Sequence, residues 1–257
     1  MTKKNLVAMV VLIALSALCA RLGVWQLGRA QERLAIGQEI NEGRSQPRLN
    51  LNTSPSETHN WQPSSASGYW RPDLTVLLEN RNHQGRPGYW VGTPLVLEPN
   101  SNEAVLVLRG WLERTPSSTP QLPPPSVDDP VTVQGELRSH VPRMYELTNL
   151  WGPEAETLAS SLPTPDGQPP IVQNLALTDL QQATGLTLRP YVLLLHESLP
   201  SENPNLIQDW PHPNLDAHQN RGYAIQWFGF ATIAGVAAIV LLWRSRRFKK
   251  LSRDSNA

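Results

Sequence analysis

The sequence predicts two transmembrane helices flanking one mainly antiparallel β (α+β) extracytoplasmic domain. Three observations carry this: an uncharged apolar run at each end, a middle built of short Val-, Leu- and aromatic-rich segments, and an uneven spread of charge. The 257 residues hold 22 Lys+Arg and 22 Asp+Glu, so the formal net charge is zero. Residues 28–222 nevertheless carry 13 arginines, no lysine and 21 acids, while the two ends carry nine cations and one acid. With 40 % hydrophobic and 17 % charged residues the chain is ordinary for a folded protein, of one large domain or two small ones. An acidic middle without a basic stripe does not neutralise phosphates, so no nucleic acid partner is expected.

Residues 1–5 are expected to be a cytoplasmic N-terminus and residues 6–27 the first transmembrane helix. Residues 6–20 are uncharged and make only about 22 Å of helix, short of a hydrocarbon core of about 30 Å. Arg21 can snorkel, and Leu22, Gly23, Val24, Trp25 and Leu27 extend the apolar character to about 33 Å. The alternative, a cleaved signal, needs small residues before the cut; Leu18-Cys19-Ala20 does not supply them, and the run reads as an uncleaved anchor. Residues 222–243 are free of charge and span about 33 Å as a helix, with Tyr223 and Trp227 at one end and Trp243 at the other suiting the aromatic belts. Arg244, Arg246, Arg247, Lys249, Lys250 and Arg253 follow at once, so residues 244–257 are expected to be a basic cytoplasmic tail. Two spans return the chain to its starting side, which places residues 28–221 in the periplasm and makes the lipid bilayer a partner. Small residues recur at Ala231 and Gly235, Ala234 and Ala238, and Ser16 and Ala20, spacings that let two helices touch closely or reflect only the usual composition of membrane helices. Neither span carries a mid-membrane ionisable residue, which disfavours an ion pathway.

Beyond the first span, residues 29–40 continue as a short helix, with Leu34, Ile36 and Ile40 apolar. Residues 41–67, rich in Asn, Ser, Pro and Thr, are expected to be loop with one edge strand near Trp61. Strands are expected at 74–79, 89–97, 104–112, 131–137 and 189–197, each bounded by Gly, Pro, Asn or Ser. One amphipathic helix, residues 177–184, is closed by Gly185. The proline-rich stretches 115–130 and 163–170 lie between strands and read as stiff excursions rather than domain boundaries.

Chemistry-bearing motifs are missing. Phosphate-cradling G-x-G-x-x-G and G-x-x-x-x-G-K-[ST] loops do not occur, nor do G-x-S-x-G or H-E-x-x-H. The only cysteine, Cys19, forms no intramolecular disulfide. No two of His59, His83, His140, His196, His212 and His218 are three or four residues apart, so each reads first as a surface or hydrogen-bonded histidine. His218 stands out because it lies a few residues from the outer membrane face, where a hydrophobic haem would take an axial imidazole. Arg81, Arg86 and Arg109, interspersed with aromatics, suit either a bidentate carboxylate or propionate or pairing with acids of the same domain.

Three blocks in order carry a family likeness. Leu22-Gly23-Val24-Trp25-Gln26-Leu27-Gly28-Arg29-Ala30 leaves the first span. Asn80-Arg81, Arg86-Pro87-Gly88-Tyr89-Trp90-Val91-Gly92-Thr93-Pro94-Leu95 and Val105-Leu106-Val107-Leu108-Arg109-Gly110-Trp111 lie in the middle. Gly222-Tyr223-Ala224-Ile225-Gln226-Trp227-Phe228 begins the second span. Together, and with the two-anchor layout, they resemble the surfeit locus protein 1 family. The resemblance implies a cytochrome c oxidase assembly factor of the bacterial inner membrane and no enzyme. Its partners would be the catalytic subunit of a haem–copper oxidase and other assembly factors, met around the time haem a is inserted. The Met1-Thr2-Lys3-Lys4 start, without an Arg- and Ser-rich presequence, reads as bacterial. Trp25, Gln26, Arg29, Asn220, Tyr223, Gln226 and Trp227 would form the membrane-proximal partner surface, with His218 as the haem contact. One departure qualifies that contact: family members commonly carry a histidine three residues before the tyrosine of the second-span block, and here that residue is Asn220. Either the chain before the second span is unwound enough for His218 to substitute, or no haem is held there. The competing readings are a tethered hydrolase, for which no catalytic constellation is present, and an envelope-tethered periplasmic binding module using arginines and tryptophans as contacts.

Overall fold

The computed structural model describes residues 3–53, 57–99, 101–115, 129–144, 158, 161–196 and 206–254, with side chains described as far as residue 246. The chain divides into two compact units, one drawn from residues 1–38 and 213–257 and the other from residues 39–212.

The first unit is helical. Helix α1 (Lys3–Ser45) contains the first apolar run and continues without a break through the expected extension, ending only two residues before Pro47. Proline disfavours helical backbone at the residue before it, which accounts for the stop. The last helix of the chain (Ala217–Asp254) starts five residues before residue 222 because Asp216 caps it. The Asp216 Oδ1 accepts the backbone N–H of His218 at 3.0 Å and of Gln219 at 3.2 Å, satisfying donors that a helix start leaves open. Apolar stretches within Lys3–Ser45 and Ala217–Arg246 are each long enough to cross a membrane.

The second unit is a β-rich domain. Its strands are β1 (Leu49–Asn50), β2 (Pro63–Trp70), β3 (Val76–His83), β4 (Arg86–Val96), β5 (Glu103–Glu113), β6 (Val131–Arg138), β7 (Ile171–Val172) and β8 (Thr187–Leu195). Helix α2 (Leu177–Thr184) buries Leu180 and Ala183 and ends at Gly185, whose φ of +70° supplies the left-handed cap; the helix from Ala217 is therefore α3. All five expected strands are present with shifted ends. Residues 41–67 depart from expectation: they hold the last turn of α1, all of β1 and the first half of β2. The first half of β2 is made of Pro, Ser, Ala and Gly, which give almost no hydrophobic signal, and its conformation is set by pairing with β6 from Pro63↔Glu136 to Gly68↔Val131.

Five of the strand pairings are antiparallel and three are parallel, namely β1–β2, β3–β7 and β5–β8. The sheet closes on itself along β2–β6–β8–β5–β4, because the end of β4 also pairs with the end of β2 (Tyr69↔Val96, Trp70↔Leu95). Closure removes sheet edges and gives a barrel-like form. Trp70, Leu95, Val105, Val107, Val133, Tyr191 and Leu193 share one core cluster, while Leu106, Leu108, Trp90, Val192 and Leu194 pack into another with Leu180 of α2. Burial on both faces explains why β5 and β8 read as continuous apolar runs rather than alternating ones. The excursion 163–170 lies inside this unit and divides nothing; of the excursion 115–130, residues 116–128 lie outside the described residues.

Candidate functional site

Helices α1 and α3 run antiparallel within the helical unit, matched by contacts that descend in register. Ser16 Oγ donates to the Ala231 carbonyl at 2.8 Å, Asn220 Nδ2 to Gln26 Oε1 at 2.7 Å, and Arg33 Nη1 to the Asp216 carbonyl at 2.6 Å. Most of the covered residues follow alternating steps of three and four: Met9, Leu12, Ser16, Cys19, Gly23, Gln26, Ala30, Arg33 and Gly37 on α1, and Ala217, Asn220, Ala224, Trp227, Ala231, Ala234, Ala238 and Leu241 on α3. That repeat is the seam of a coiled-coil pair. It is lined mostly by Ala, Gly and Ser, while Val10, Ile13, Leu18, Ile225, Ile233 and Ile239 point outward and are more than half exposed. Small residues inside and large aliphatics outside suit a hydrocarbon surrounding, where close backbone approach rather than expulsion of apolar surface from water holds helices together.

The residues of the expected partner surface divide between the two sides of this seam. Gln26 and Asn220 face each other within it, and Asn220 is only 9 % exposed. Trp227 is partly covered and meets Phe230 edge-on, with ring centroids 6.0 Å apart. Trp25, Arg29, His218, Tyr223 and Gln226 are exposed, and Arg29 pairs with Glu32 at 2.8 Å. The sequence reading missed Phe228, whose ring lies 2.8–3.0 Å from where a Cβ on Gly23 would stand. The heptad-like step through Gly23 was the signal available for it.

Helical backbone at both residues 218 and 220 resolves the question of how α3 begins. His218 is exposed and Asn220 is covered, as expected for residues about 200° apart around one helix. The Asn220 amide nitrogen is engaged by Gln26, its Oδ1 is buried without a hydrogen-bond partner, and a carboxamide is not among the usual axial ligands of haem iron. The residues present therefore do not fit a haem at position 220, and unwinding does not bring His218 to that place.

The β-rich domain uses its arginines internally. Arg86 pairs with Glu113 at 3.0 Å on the surface. Arg109 is buried, reaching Thr93 Oγ1 at 3.4 Å and lying 5.3 Å from the Trp70 ring. Arg81 is buried over Trp90 at 4.4 Å and donates to the Gln173 carbonyl at 3.1 Å, and burial pulls its pKa down to about 10. A second charged cluster surrounds Glu136, which binds Arg44 at 2.7 Å and Arg138 at 2.9 Å with His196 at 3.7 Å. Arg138 and Arg44 both stack on Trp61, at 3.2 and 5.6 Å from the ring centroid. Burial alone would raise the Glu136 pKa; the nearby His196 imidazole, hydrogen bonds from Arg44 and Arg138 and the Arg138 charge outweigh it and lower it to about 2. His83 meets Asp209 at 3.0 Å and His140 meets Ser139 at 2.9 Å, and among the described residues no three metal-ligating side chains converge. Glu197 and Ser198, next to His196 in sequence, lie outside the described residues.

Comparison with known proteins identifies relatives of similar sequence. The family model described as the SURF1 family matches residues 13–232. An uncharacterized SURF1-like protein of Mycobacterium bovis is 25 % identical over 240 residues, covering 88 % of this chain and 79 % of the relative. A counterpart in Mycobacterium tuberculosis matches to the same extent. A SURF1-like protein of Rickettsia bellii is 26 % identical over 231 residues, covering 87 % of this chain and 83 % of its own.

Proposed function

Since the chain belongs to the SURF1 family, we propose that it is a membrane-anchored assembly factor for haem–copper (cytochrome c) oxidases. In this reading it sits in a bacterial inner membrane with both termini cytoplasmic and the β-rich domain periplasmic, and it acts on the oxidase catalytic subunit, with other assembly factors, by contact rather than by turning over a substrate. The observation that carries the reading is the extent of the family match, which begins inside the first apolar helix, passes through the whole β-rich domain and ends inside the second.

The chemistry of the helical unit supports a contact role. Trp25 and Tyr223 are amphipathic, rigid and about half exposed, the residue types that supply binding energy at the edge of a membrane. Arg29 and Gln226 add hydrogen-bonding groups on the same helices, while Gln26 and Asn220 tie the two helices to one another. Haem a enters this proposal as the cargo of the partner, since position 220 offers an amide. The experiment is deletion of the gene in its host and a reduced-minus-oxidised spectrum of the membranes. Loss of the haem a signal, restored by the gene in trans, is expected; an undiminished signal accompanied by an envelope defect would instead favour a tethered binding module.

A further inference from the structure

Between α1 and α3, a groove of about 420 Å³ opens on the side of the helix pair. Met9, Ile13, Ala17 and Ala20 line it from α1, and Gly235 and Leu242 from α3. Apart from Ser16 its walls are apolar, and along α1 it extends from residue 9 to residue 20, about 16 Å of helix. That length matches one leaflet, half of a hydrocarbon core of about 30 Å. Beyond Ala20 the seam is shut, with the Phe228 ring packed on Gly23.

The end of the pair beyond Met9 and Leu242 carries the strongest charge in the sequence. Lys4 lies five residues before Met9, and Arg244 lies two residues after Leu242, or about 8 Å and 3 Å of helix. Because the helices are antiparallel, these cations share one end of the pair, and Lys3, Lys4, Arg244 and Arg246 are all exposed there. The sequence continues with Arg247, Lys249, Lys250 and Arg253 against a single acid, Asp254.

We propose that this groove is a binding site for an anionic phospholipid, the acyl chain lying along Ala17, Ala20 and Gly235 and the phosphate facing Lys3 and Arg246. Two features select a lipid over a partner helix. A transmembrane helix would contact the pair along its whole length, whereas the groove covers only about 16 Å of it. On the groove's side of the pair Lys3 and Arg246 are exposed a few residues beyond Met9 and Leu242, and juxtamembrane lysines and arginines attract acidic headgroups. The site does not depend on the oxidase role and can be tested without it.

The full chain is reconstituted in phosphatidylcholine bilayers with spin-labelled phosphatidylglycerol or spin-labelled phosphatidylcholine, and the motionally restricted fraction is read by electron paramagnetic resonance. Phosphatidylglycerol is expected to be preferred by about fivefold. The combined substitution Lys3→Gln, Lys4→Gln, Arg244→Gln and Arg246→Gln is expected to bring the preference close to parity. Ala17→Phe, which fills the groove from an exposed position, and separately Ala20→Leu, are expected to lower it with the cations intact. Parity in the unmodified chain overturns the proposal. So does a preference that survives both groove substitutions, which would mean diffuse attraction to the surface. Loss of preference together with a change in oligomeric state overturns it in favour of a second helix in the groove.

Discussion

Glu136 is the one buried carboxylate among the described residues, and two arginines converge on it. Its side chain is 7 % exposed and is shared by Arg44 from the end of α1 and Arg138 from its own strand. A carboxylate whose folded pKa lies near 2, below the ordinary 4.5, contributes stability that is complete above the ordinary value and is lost as pH falls through the folded one. The difference corresponds to on the order of 3 kcal/mol at neutral pH, similar to the penalty for breaking a buried pair by removing one partner. Glu136→Gln is therefore expected to destabilise the domain by about that amount at pH 7 and to converge on the unmodified protein as pH approaches 2, as followed by chemical denaturation at a series of pH values. An equal loss at pH 7 and pH 2.5 would show that the carboxylate charge is not what matters. None of this was legible beforehand: Arg44 and Glu136 are 92 residues apart, and Arg44 falls in a stretch that reads as loop.

At the scale of elements, local pattern and long-range pairing divide what sequence alone reveals. Helix α2 was legible to the residue because its signals are local, an amphipathic turn and a glycine that accepts positive φ. The five long strands from 74 onward were legible from β-branched and aromatic content; the two-residue β7 was not, nor was the parallel pairing of β5 with β8, since closure across more than seventy residues leaves no mark on either strand. The pairing face of α1 and α3 was half legible: Ser16, Ala231 and Gly235 were singled out as small, while the Gly23–Phe228 contact was not. Cys19, the only cysteine and 4 % exposed in this seam, reports on it. Gly23→Leu places side-chain atoms where the Phe228 ring now lies, so the helices are expected to part locally and Cys19 to react several-fold faster with a small apolar thiol reagent in detergent. Combining Gly23→Leu with Phe228→Ala is expected to restore slow reaction. Unchanged reactivity in the single variant would show that the two helices do not pack through Gly23.

For the molecule as a whole, charge and hydropathy carry the topological reading and the family match carries the functional one. Eight cations lie within eleven residues of the two outer helix ends, at Lys3, Lys4, Arg244, Arg246, Arg247, Lys249, Lys250 and Arg253, a bias that holds such ends on the cytoplasmic side. A reporter that is active only in the periplasm is expected to be silent when fused after residue 257 and active when inserted between residues 115 and 130; the reverse pattern would invert the proposed orientation. Of the expected partner surface, the sequence marked which residues gather on the two helices but not which of them look inward, because that depends on where α3 begins and so on the Asp216 cap. The central claim is that exposed aromatic residues on these helices serve oxidase assembly by contact. It is tested most directly by complementing the deletion strain with Trp25→Ala or Tyr223→Ala and measuring membrane haem a beside the amount of this protein. Reduced haem a at an unchanged protein level is the predicted result; full haem a from both variants would contradict it.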